Sequence, residues 1–312
     1  MKGSKDYILL YLKGIGMGGA DVVPGVSGGT IAFITGIYEE LINSIKSLDL
    51  NAFKLLFSLR LNEFWKHING PFLITLFLGI VTSILSLAKL ITYLLEHFPI
   101  QLWSFFFGLI VISALSVGSQ IKNKNFVSGL FGVAGIVIAY LITSATPATT
   151  PDALWFIFLS GMVAICAMIL PGISGSFILL IFGKYQYVLE SLKDVNVAVI
   201  VVFVAGCVVG ILSFSRVVSW FLQRHHDSTV AVLAGFMVGS LYKIWPWKNT
   251  LSYRVNSAGE QVPFLQDNVL PTEYLELTGN EPLLLYAVLF MAFGFFIVVI
   301  LEKIALSVRK PR

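Results

Sequence analysis

Charged residues are scarce in this chain. Of its 312 residues, only 12% are Asp, Glu, Lys or Arg, whereas 57% are hydrophobic, and the mean hydropathy is +0.86. A soluble domain carries about 25% charged residues. Because so few charges cannot cover a water-facing surface of this size, the composition predicts an integral membrane protein with several spans.

Cysteine and histidine are also rare, with two and four residues respectively. Cys166 and Cys207 lie in apolar stretches, which predicts small buried side chains rather than a disulfide framework. The sequence has no metal-ligand spacing and no P-loop signature, so we expect no metal and no cofactor. The basic residues gather in loops between apolar segments, a distribution that does not favour nucleic-acid binding.

Two glycine-rich stretches interrupt apolar segments. They read Gly18-Gly-Ala-Asp-Val-Val-Pro-Gly-Val-Ser-Gly-Gly-Thr30 and Pro171-Gly-Ile-Ser-Gly-Ser176. The similarity continues at the same offset of 147 residues, for example at Gly36 and Gly183, and later at an offset of 127, for example at Gly79 and Gly206. A polar break inside an apolar segment, present twice, is typical of a transporter binding site built from internal repeats.

The apolar segments predict an all-α polytopic membrane protein made of two inverted repeats. Repeat 1 (residues 1–146) is predicted to contain a re-entrant helical hairpin and three transmembrane helices, over 7–45, 72–98, 100–120 and 126–143. Repeat 2 (residues 147–312) is predicted to contain the same elements, over 154–192, 195–222, 229–245 and 282–304. Both repeats would form one membrane domain. Three spans is an odd number, so the second repeat is expected to lie upside down relative to the first.

The loop charges agree with this topology. Lys and Arg are concentrated in segments 46–70, 121–125 and 223–227 and at the C-terminus, whereas 143–152 has none and 247–281 is net acidic. Basic loops mark the cytoplasmic side of a multi-pass protein. We therefore expect both termini in the cytoplasm. The charges leave open whether the hairpin arms cross half or all of the membrane.

The residues at the two turns predict an anion site near the membrane midplane. A helix start exposes backbone N–H groups and the positive end of the helix dipole, while glycine allows close approach and hydroxyls add donors. The alternative is a pair of turns whose serines merely cap helices. The candidate substrate-binding residues are Pro24, Gly25, Ser27, Gly28, Gly29, Thr30, Pro171, Gly172, Ser174, Gly175 and Ser176.

Five charged residues are further candidates. Asp21 precedes the first turn and is expected to bind substrate or to carry a coupling proton, because ionisable groups at membrane depth are usually functional. Glu39 and Glu40 are further coupling candidates. Lys89 and Arg216 occupy equivalent positions in the repeats, so each is expected to meet an anionic head group at one mouth of the path. Their alternative role is snorkelling to the membrane surface.

Two other function classes compete with lipid transport. Ser27 and Ser174 each lie in a G-x-S-G pattern, which also occurs in intramembrane serine hydrolases. A serine nucleophile needs a base, usually histidine, and the four histidines lie in loops or at predicted span ends. We therefore predict that the chain is not an enzyme. A small-anion transporter or channel, or a structural membrane scaffold, is the third class.

At these motifs the sequence resembles the family long called domain of unknown function 368, whose members transport polyprenyl phosphates. The matching segments are 19–30, 36–40, 170–177 and 183–185. The resemblance implies a transporter that returns undecaprenyl phosphate, the C55 lipid carrier, to the cytoplasmic leaflet of the bacterial plasma (inner) membrane, with ion or proton coupling. It also implies that the hairpins hold the phosphate. The expected partners are this anionic lipid and membrane lipids, and a homodimer stays open.

Overall fold

The computed structural model describes residues 4–23, 25–255 and 261–309, which are mostly helical. The first half forms α1 (Ser4–Val22), α2 (Gly28–Ile34), α3 (Tyr38–Lys46), α4 (Leu50–Phe57), α5 (Leu61–His67), α6 (Gly70–His97), α7 (Pro99–Ser119) and α8 (Phe126–Thr143). The second half forms α9 (Leu154–Ile169), α10 (Gly175–Ile181), α11 (Tyr185–Lys193), α12 (Val197–Arg224), α13 (His226–Ser240), β1 (Lys248–Val255), β2 (Gln261–Asn268), α14 (Pro271–Thr278) and α15 (Leu284–Arg309). The predicted cytoplasmic placement of the termini concerns residues 1–3 and 310–312, which lie outside the described residues.

Four helices among the described residues are long and apolar enough to cross a membrane: α6, α7, α8 and α12. Helix α9 and the segment Leu284–Ile300 of α15 are shorter apolar helices. Many large apolar side chains on α6, α8 and α12 are exposed, as expected for surfaces that face lipid tails. The predicted all-α polytopic membrane protein is therefore confirmed in its coarser form, a mostly helical chain with several candidate membrane spans.

The helices pack in four close pairs: α1 with α6, α9 with α12, α7 with α15, and α8 with α13. Glycines allow the backbones to approach. A Cβ at Gly108 of α7 would lie 1.9 Å from the carbonyl oxygen of Met291, and one at Gly206 of α12 would lie 2.1 Å from that of Phe158. Small residues at such contacts favour helix association in membranes. Because α8 and α15 each pack on a helix of the other half, the two halves interlock.

The element order of the first half recurs in the second. Helices α2 and α10 each have 7 residues, α3 and α11 each have 9, and α6 and α12 each have 28. Their starting residues are separated by the two sequence offsets, 147 for the hairpin helices and 127 for the long helices. The recurrence agrees with a duplicated chain, and the inverted orientation of the two halves stays a prediction.

In each predicted re-entrant hairpin, the arm after the turn is divided into two helices. In the first hairpin this arm breaks between α2 and α3 at Gly36, where φ is 69°. In the second hairpin the corresponding arm breaks between α10 and α11 at Gly183, where φ is 63°. This left-handed conformation favours glycine and ends an α-helix. The arm after each turn is therefore a short buried helix followed by a second helix, whereas the arm before each turn, α1 or α9, is a single helix.

Two polar segments also contain unpredicted structure. Segment 46–70 includes α4 and α5, whose exposed apolar side chains include Leu50, Phe57 and Trp65. Segment 247–281 contains an antiparallel β-hairpin, paired from Lys248 with Asn268 to Val255 with Gln261, and α14. The fold is thus mostly helical rather than all-α. The hairpin packs beside Trp247 and Tyr274, which form a small apolar cluster with Ile100 and Ala287.

Candidate functional site

The two glycine-rich turns meet inside the protein. The backbone N–H of Gly172 in the second turn donates to Oγ1 of Thr30 at 3.0 Å. The hydroxyl oxygen of Ser27 lies 3.1 Å from the carbonyl oxygen of Leu170 and 3.3 Å from that of Met168. Ser27 and Thr30 are both completely buried. Residues more than 140 positions apart in the sequence are therefore joined by direct hydrogen bonds.

Glycine is required at both turns. Gly25 has φ of 92° and Gly172 has φ of 88°, a region that residues with a Cβ rarely adopt. The turns are also tightly packed. A Cβ at Gly172 would lie 2.9 Å from the carbonyl oxygen of Phe236 in α13, and one at Gly29 would lie 2.7 Å from that of Ile169 in α9. The turns are thus fixed both by local conformation and by close contacts within repeat 2 and between the repeats.

Asp21 partners the start of α2. Its Oδ1 accepts a 2.7 Å hydrogen bond from the N–H of Gly28, and Oγ of Ser27 accepts one of 3.0 Å from the N–H of Gly29. Two of the N–H groups that the sequence predicted to be free for an anion are therefore occupied by the chain's own oxygens. An anion that binds there must displace the Asp21 carboxylate.

The second turn has a different polar arrangement despite its nearly identical sequence. The Ser174 hydroxyl lies 2.7 Å from that of Ser176 and makes no side-chain hydrogen bond to the start of α10. The residue equivalent to Asp21 is Met168, so no carboxylate caps Gly175 in this way. Ser174 is buried and Ser176 is half-buried, beside the buried Pro171. Pro24, the equivalent proline of the first turn, lies outside the described residues.

The two glutamates lie away from the turns, in the first turn of α3. Oε1 of Glu39 lies 3.4 Å from Nε2 of His226 at the start of α13, and Oε1 of Glu40 accepts a 3.1 Å hydrogen bond from Asn69. These contacts connect α3 of the first hairpin to the starts of α13 and α6. A role in coupling stays a prediction.

Lys89 and Arg216 also lie away from the turns. Lys89 is exposed on α6. The Arg216 guanidinium on α12 donates to the carbonyl oxygen of Leu212 at 2.5 Å and to that of Leu48, just after α3, at 3.3 Å. Neither side chain contacts the hydrogen-bonded turns, and their proposed role at the mouths of a path stays a prediction.

Sequence reasoning missed Lys243, which lies just beyond the end of α13. A Cβ at Gly25 would lie 2.8 Å from Cγ of Lys243, and the Lys243 ammonium lies 4.5 Å from the ring centroid of Phe177 in α10. Its repeat counterpart is Ser116, so the duplicated pattern gave no signal there. The available signal was an ionisable residue inside the predicted span 229–245.

Sequence reasoning also missed the buried Lys184. Its side chain is only 2% exposed, pairs with Asp152 and donates to the carbonyl oxygen of Thr150 at 2.8 Å. These bonds fasten the break between α10 and α11 to the segment before α9. The position of Lys184 is structural, because its ammonium is already satisfied.

The alternative function as a serine hydrolase requires a base, usually histidine, beside the serine. His67 lies 3.0 Å from Asp49, His97 lies 3.0 Å from the carbonyl oxygen of Tyr93, and His226 lies beside Glu39. The Ser27 hydroxyl is directed at backbone carbonyl oxygens, not at a base. Within residues 4–23, 25–255 and 261–309, no group of three or more His, Cys, Asp or Glu side chains is arranged to hold a metal ion.

These features define a multi-pass helical membrane protein whose two glycine-rich turns are joined in its interior. Residues 17–262 match the VCA0040-like family, described as undecaprenyl phosphate translocase-like, and the chain belongs to this family. A Vibrio cholerae serotype O1 protein named polyprenyl-phosphate transporter is 51% identical over 300 residues, covering 96% of this chain and 97% of that protein. A Staphylococcus aureus protein of the same name is 34% identical over 256 residues, covering 75% and 85%. No solved structure matches.

Proposed function

We propose that the protein transports undecaprenyl phosphate across the bacterial plasma membrane and returns it to the cytoplasmic leaflet. The hydrogen bond between Thr30 and the N–H of Gly172 carries the proposal, because it brings the two predicted anion-binding turns to one place. The similarity to two proteins named polyprenyl-phosphate transporters, one of them matched over 96% of this chain, supports the substrate class. The phosphate is held at the turns while the prenyl tail remains in lipid.

The proposed architecture is an inverted repeat. The matched lengths of α6 and α12, and the exchange of α8 and α15 between the halves, support two interlocking copies. Under this topology α13 runs outward from a basic loop at 223–227. The turn of the second hairpin then contacts Phe236, Met237 and Ser240 in the outer half of α13, and the turn of the first hairpin contacts Lys243 and Ile244 just beyond its outer end. The two turns therefore lie at neighbouring levels along this helix, which suits one shared site between the repeats.

Asp21 is the proposed proton carrier. Its carboxylate occupies the N–H of Gly28, which is one of the donors that a phosphate needs. Protonation weakens this acceptor and releases the donor, so proton and phosphate bind together. Inward movement of a negative charge against a potential of about 100 mV costs about 2.3 kcal/mol per charge, which a co-transported proton offsets.

The decisive experiment measures leaflet translocation of undecaprenyl phosphate by purified protein in liposomes. The test variant is the double substitution Ser27→Ala and Ser174→Ala, and the matched control is Ser213→Ala, because the Ser213 hydroxyl bonds within its own helix on an exposed surface. We expect transport by the wild type and the control, and its loss in the double variant. Absence of transport by folded wild-type protein, with and without an ion gradient, refutes the proposal.

Proton coupling has a separate test in the same liposomes. A pH gradient should accelerate transport by the wild-type protein, and Asp21→Asn should remove this response because asparagine cannot exchange a proton. A wild-type rate that ignores the gradient would exclude proton coupling while leaving lipid transport intact. Replacing both Lys89 and Arg216 by Gln tests the mouths of the path. Unimpaired transport would exclude their role.

A further inference from the structure

Lys243 lies where the two hairpins approach α13. Its methylene chain packs against the Gly25 turn of the first hairpin, and its ammonium lies over the ring of Phe177, one residue after Ser176 in the second. The backbone of α13 itself contacts Gly172 through Phe236 and Met237. One side chain therefore spans from the first turn to the first helical turn of α10.

The Lys243 ammonium has an aromatic face but no acidic partner. Among the residues that the structure describes, no Asp or Glu oxygen lies within 4.0 Å of it. A cation–π contact offsets only part of the cost of removing an ammonium from water without a counter-ion. Among the described residues, the ammonium therefore lacks a counter-ion.

The β-hairpin holds the backbone at Lys243 through a hydrogen bond. The ammonium of Lys248, at the start of β1, donates to the carbonyl oxygen of Lys243 at 2.8 Å and to Oδ1 of Asn268 at 3.1 Å. Lys248 also lies 5.6 Å from the ring centroid of Trp103. The β-hairpin thus fixes the turn that carries Lys243.

We infer that Lys243 binds the phosphate head group where the two turns meet and makes the site selective for a phosphorylated lipid over a neutral polyprenol. The inference rests on the proposed function, since it assigns a residue to that site. A lysine ammonium is a compact point charge suited to phosphate. Its repeat counterpart, Ser116, carries no charge, so the head group meets this cation on one side of the site only.

The test compares the binding of undecaprenyl phosphate and undecaprenol to the purified full-length chain in detergent, read from ligand-dependent thermal protection. The variants are Lys243→Met, which keeps the length of the side chain, and Lys243→Arg, which keeps the charge. The matched control is Lys54→Met on the exposed face of α4. We expect Lys243→Met to weaken phosphate binding about tenfold or more and to leave alcohol binding unchanged. Lys243→Arg and Lys54→Met should retain the preference for phosphate.

The outcomes separate the inference from the proposed function. A wild-type protein that binds neither lipid overturns both, whereas one that binds both lipids equally overturns only the inference of selectivity. A wild type that prefers phosphate and a folded Lys243→Met variant that keeps this preference overturn only the role of Lys243. If Lys243→Met does not fold, undecaprenyl phosphate with a photoreactive group beside the phosphate is applied to the wild type. Cross-links in segment 241–247 support the inference, and cross-links confined to other segments overturn it.

Discussion

Replacing Thr30 by Val tests the contact between the turns. The Thr30 hydroxyl accepts the N–H of Gly172 and is completely buried. Valine has the same branched shape, so the substitution removes the acceptor with little change in packing. The buried N–H then has no partner from this side chain. An orphaned donor of this kind costs about 1–3 kcal/mol in the free energy of unfolding.

Thr143→Val is the matched control. Thr143 is also buried in a helix, but its hydroxyl donates to the carbonyl oxygen of Ala139 in its own helix at 2.7 Å. That carbonyl retains its helical hydrogen bond when the hydroxyl is lost. Both variants exchange a hydroxyl for a methyl group, so their difference isolates the unsatisfied N–H. We expect Thr30→Val to be the less stable by about 1–3 kcal/mol.

The assay is denaturant unfolding of both variants in the same detergent, combined with lipid translocation in liposomes. Thr30→Val should also slow transport, because the turns are no longer held in register, whereas Thr143→Val should transport at the wild-type rate. Equal stability and equal transport in the two variants would refute the reasoning. The hydrogen bond between the turns would then have no energetic importance.

Three further predictions concern single sites. Gly172→Ala should destabilise the protein by at least about 1 kcal/mol more than Gly279→Ala. Both glycines have positive φ, but of these two only Gly172 lacks room for a Cβ. Equal shifts of the melting temperature in the two variants would contradict this. Asp152→Asn should lower the free energy of unfolding by about 1–3 kcal/mol, because it leaves the buried Lys184 ammonium without its carboxylate partner. The effect is limited because solvent partly screens the Asp152 carboxylate. An unchanged free energy in denaturant unfolding would contradict a stabilising ion pair between Asp152 and Lys184. Burial, and then the charge of Lys243, lower the pKa of Lys248 to about 7. Because the unfolded chain binds more protons between about pH 7 and pH 10, stability should rise with pH in this window, and Lys248→Met should flatten the rise; an unchanged slope would refute the assignment.

Much of the fold follows from the duplicated pattern. The apolar runs coincide with α6, α7, α8 and α12, because membrane spans require continuous hydrophobic sequence. The breaks at Gly36 and Gly183 had a visible signal, a repeated glycine within an apolar arm, yet glycine alone does not reveal a left-handed conformation. The β-hairpin was missed because its polar, irregular segment lacks a strong alternating pattern.

The candidate site was only partly predictable. The motif marked Ser27 and Thr30, but the sequence could not show that their partners are Leu170 and Gly172, since such contacts depend on how the halves interlock. It also could not show that Asp21 occupies the N–H of Gly28. Lys243 was not predicted as a site residue because it has no charged counterpart in the other repeat. It also lies near a span end, where a charged residue usually anchors the span at the membrane surface.

The positions shared by the repeats and the positions that differ carry separate tasks. Gly25 and Gly172 have nearly equal φ values, 92° and 88°, so the duplicated glycines give both halves the same turn. The charged groups differ between the repeats, because Asp21 aligns with Met168 and Lys243 aligns with Ser116. A fully symmetric site would bind a head group equally from either side. Asp21 at the end of α1, bonded to the first amide of α2, and Lys243 beyond α13 instead make the two sides of the proposed site chemically different. A carrier needs this difference if proton binding and phosphate binding are to be coupled at a single site.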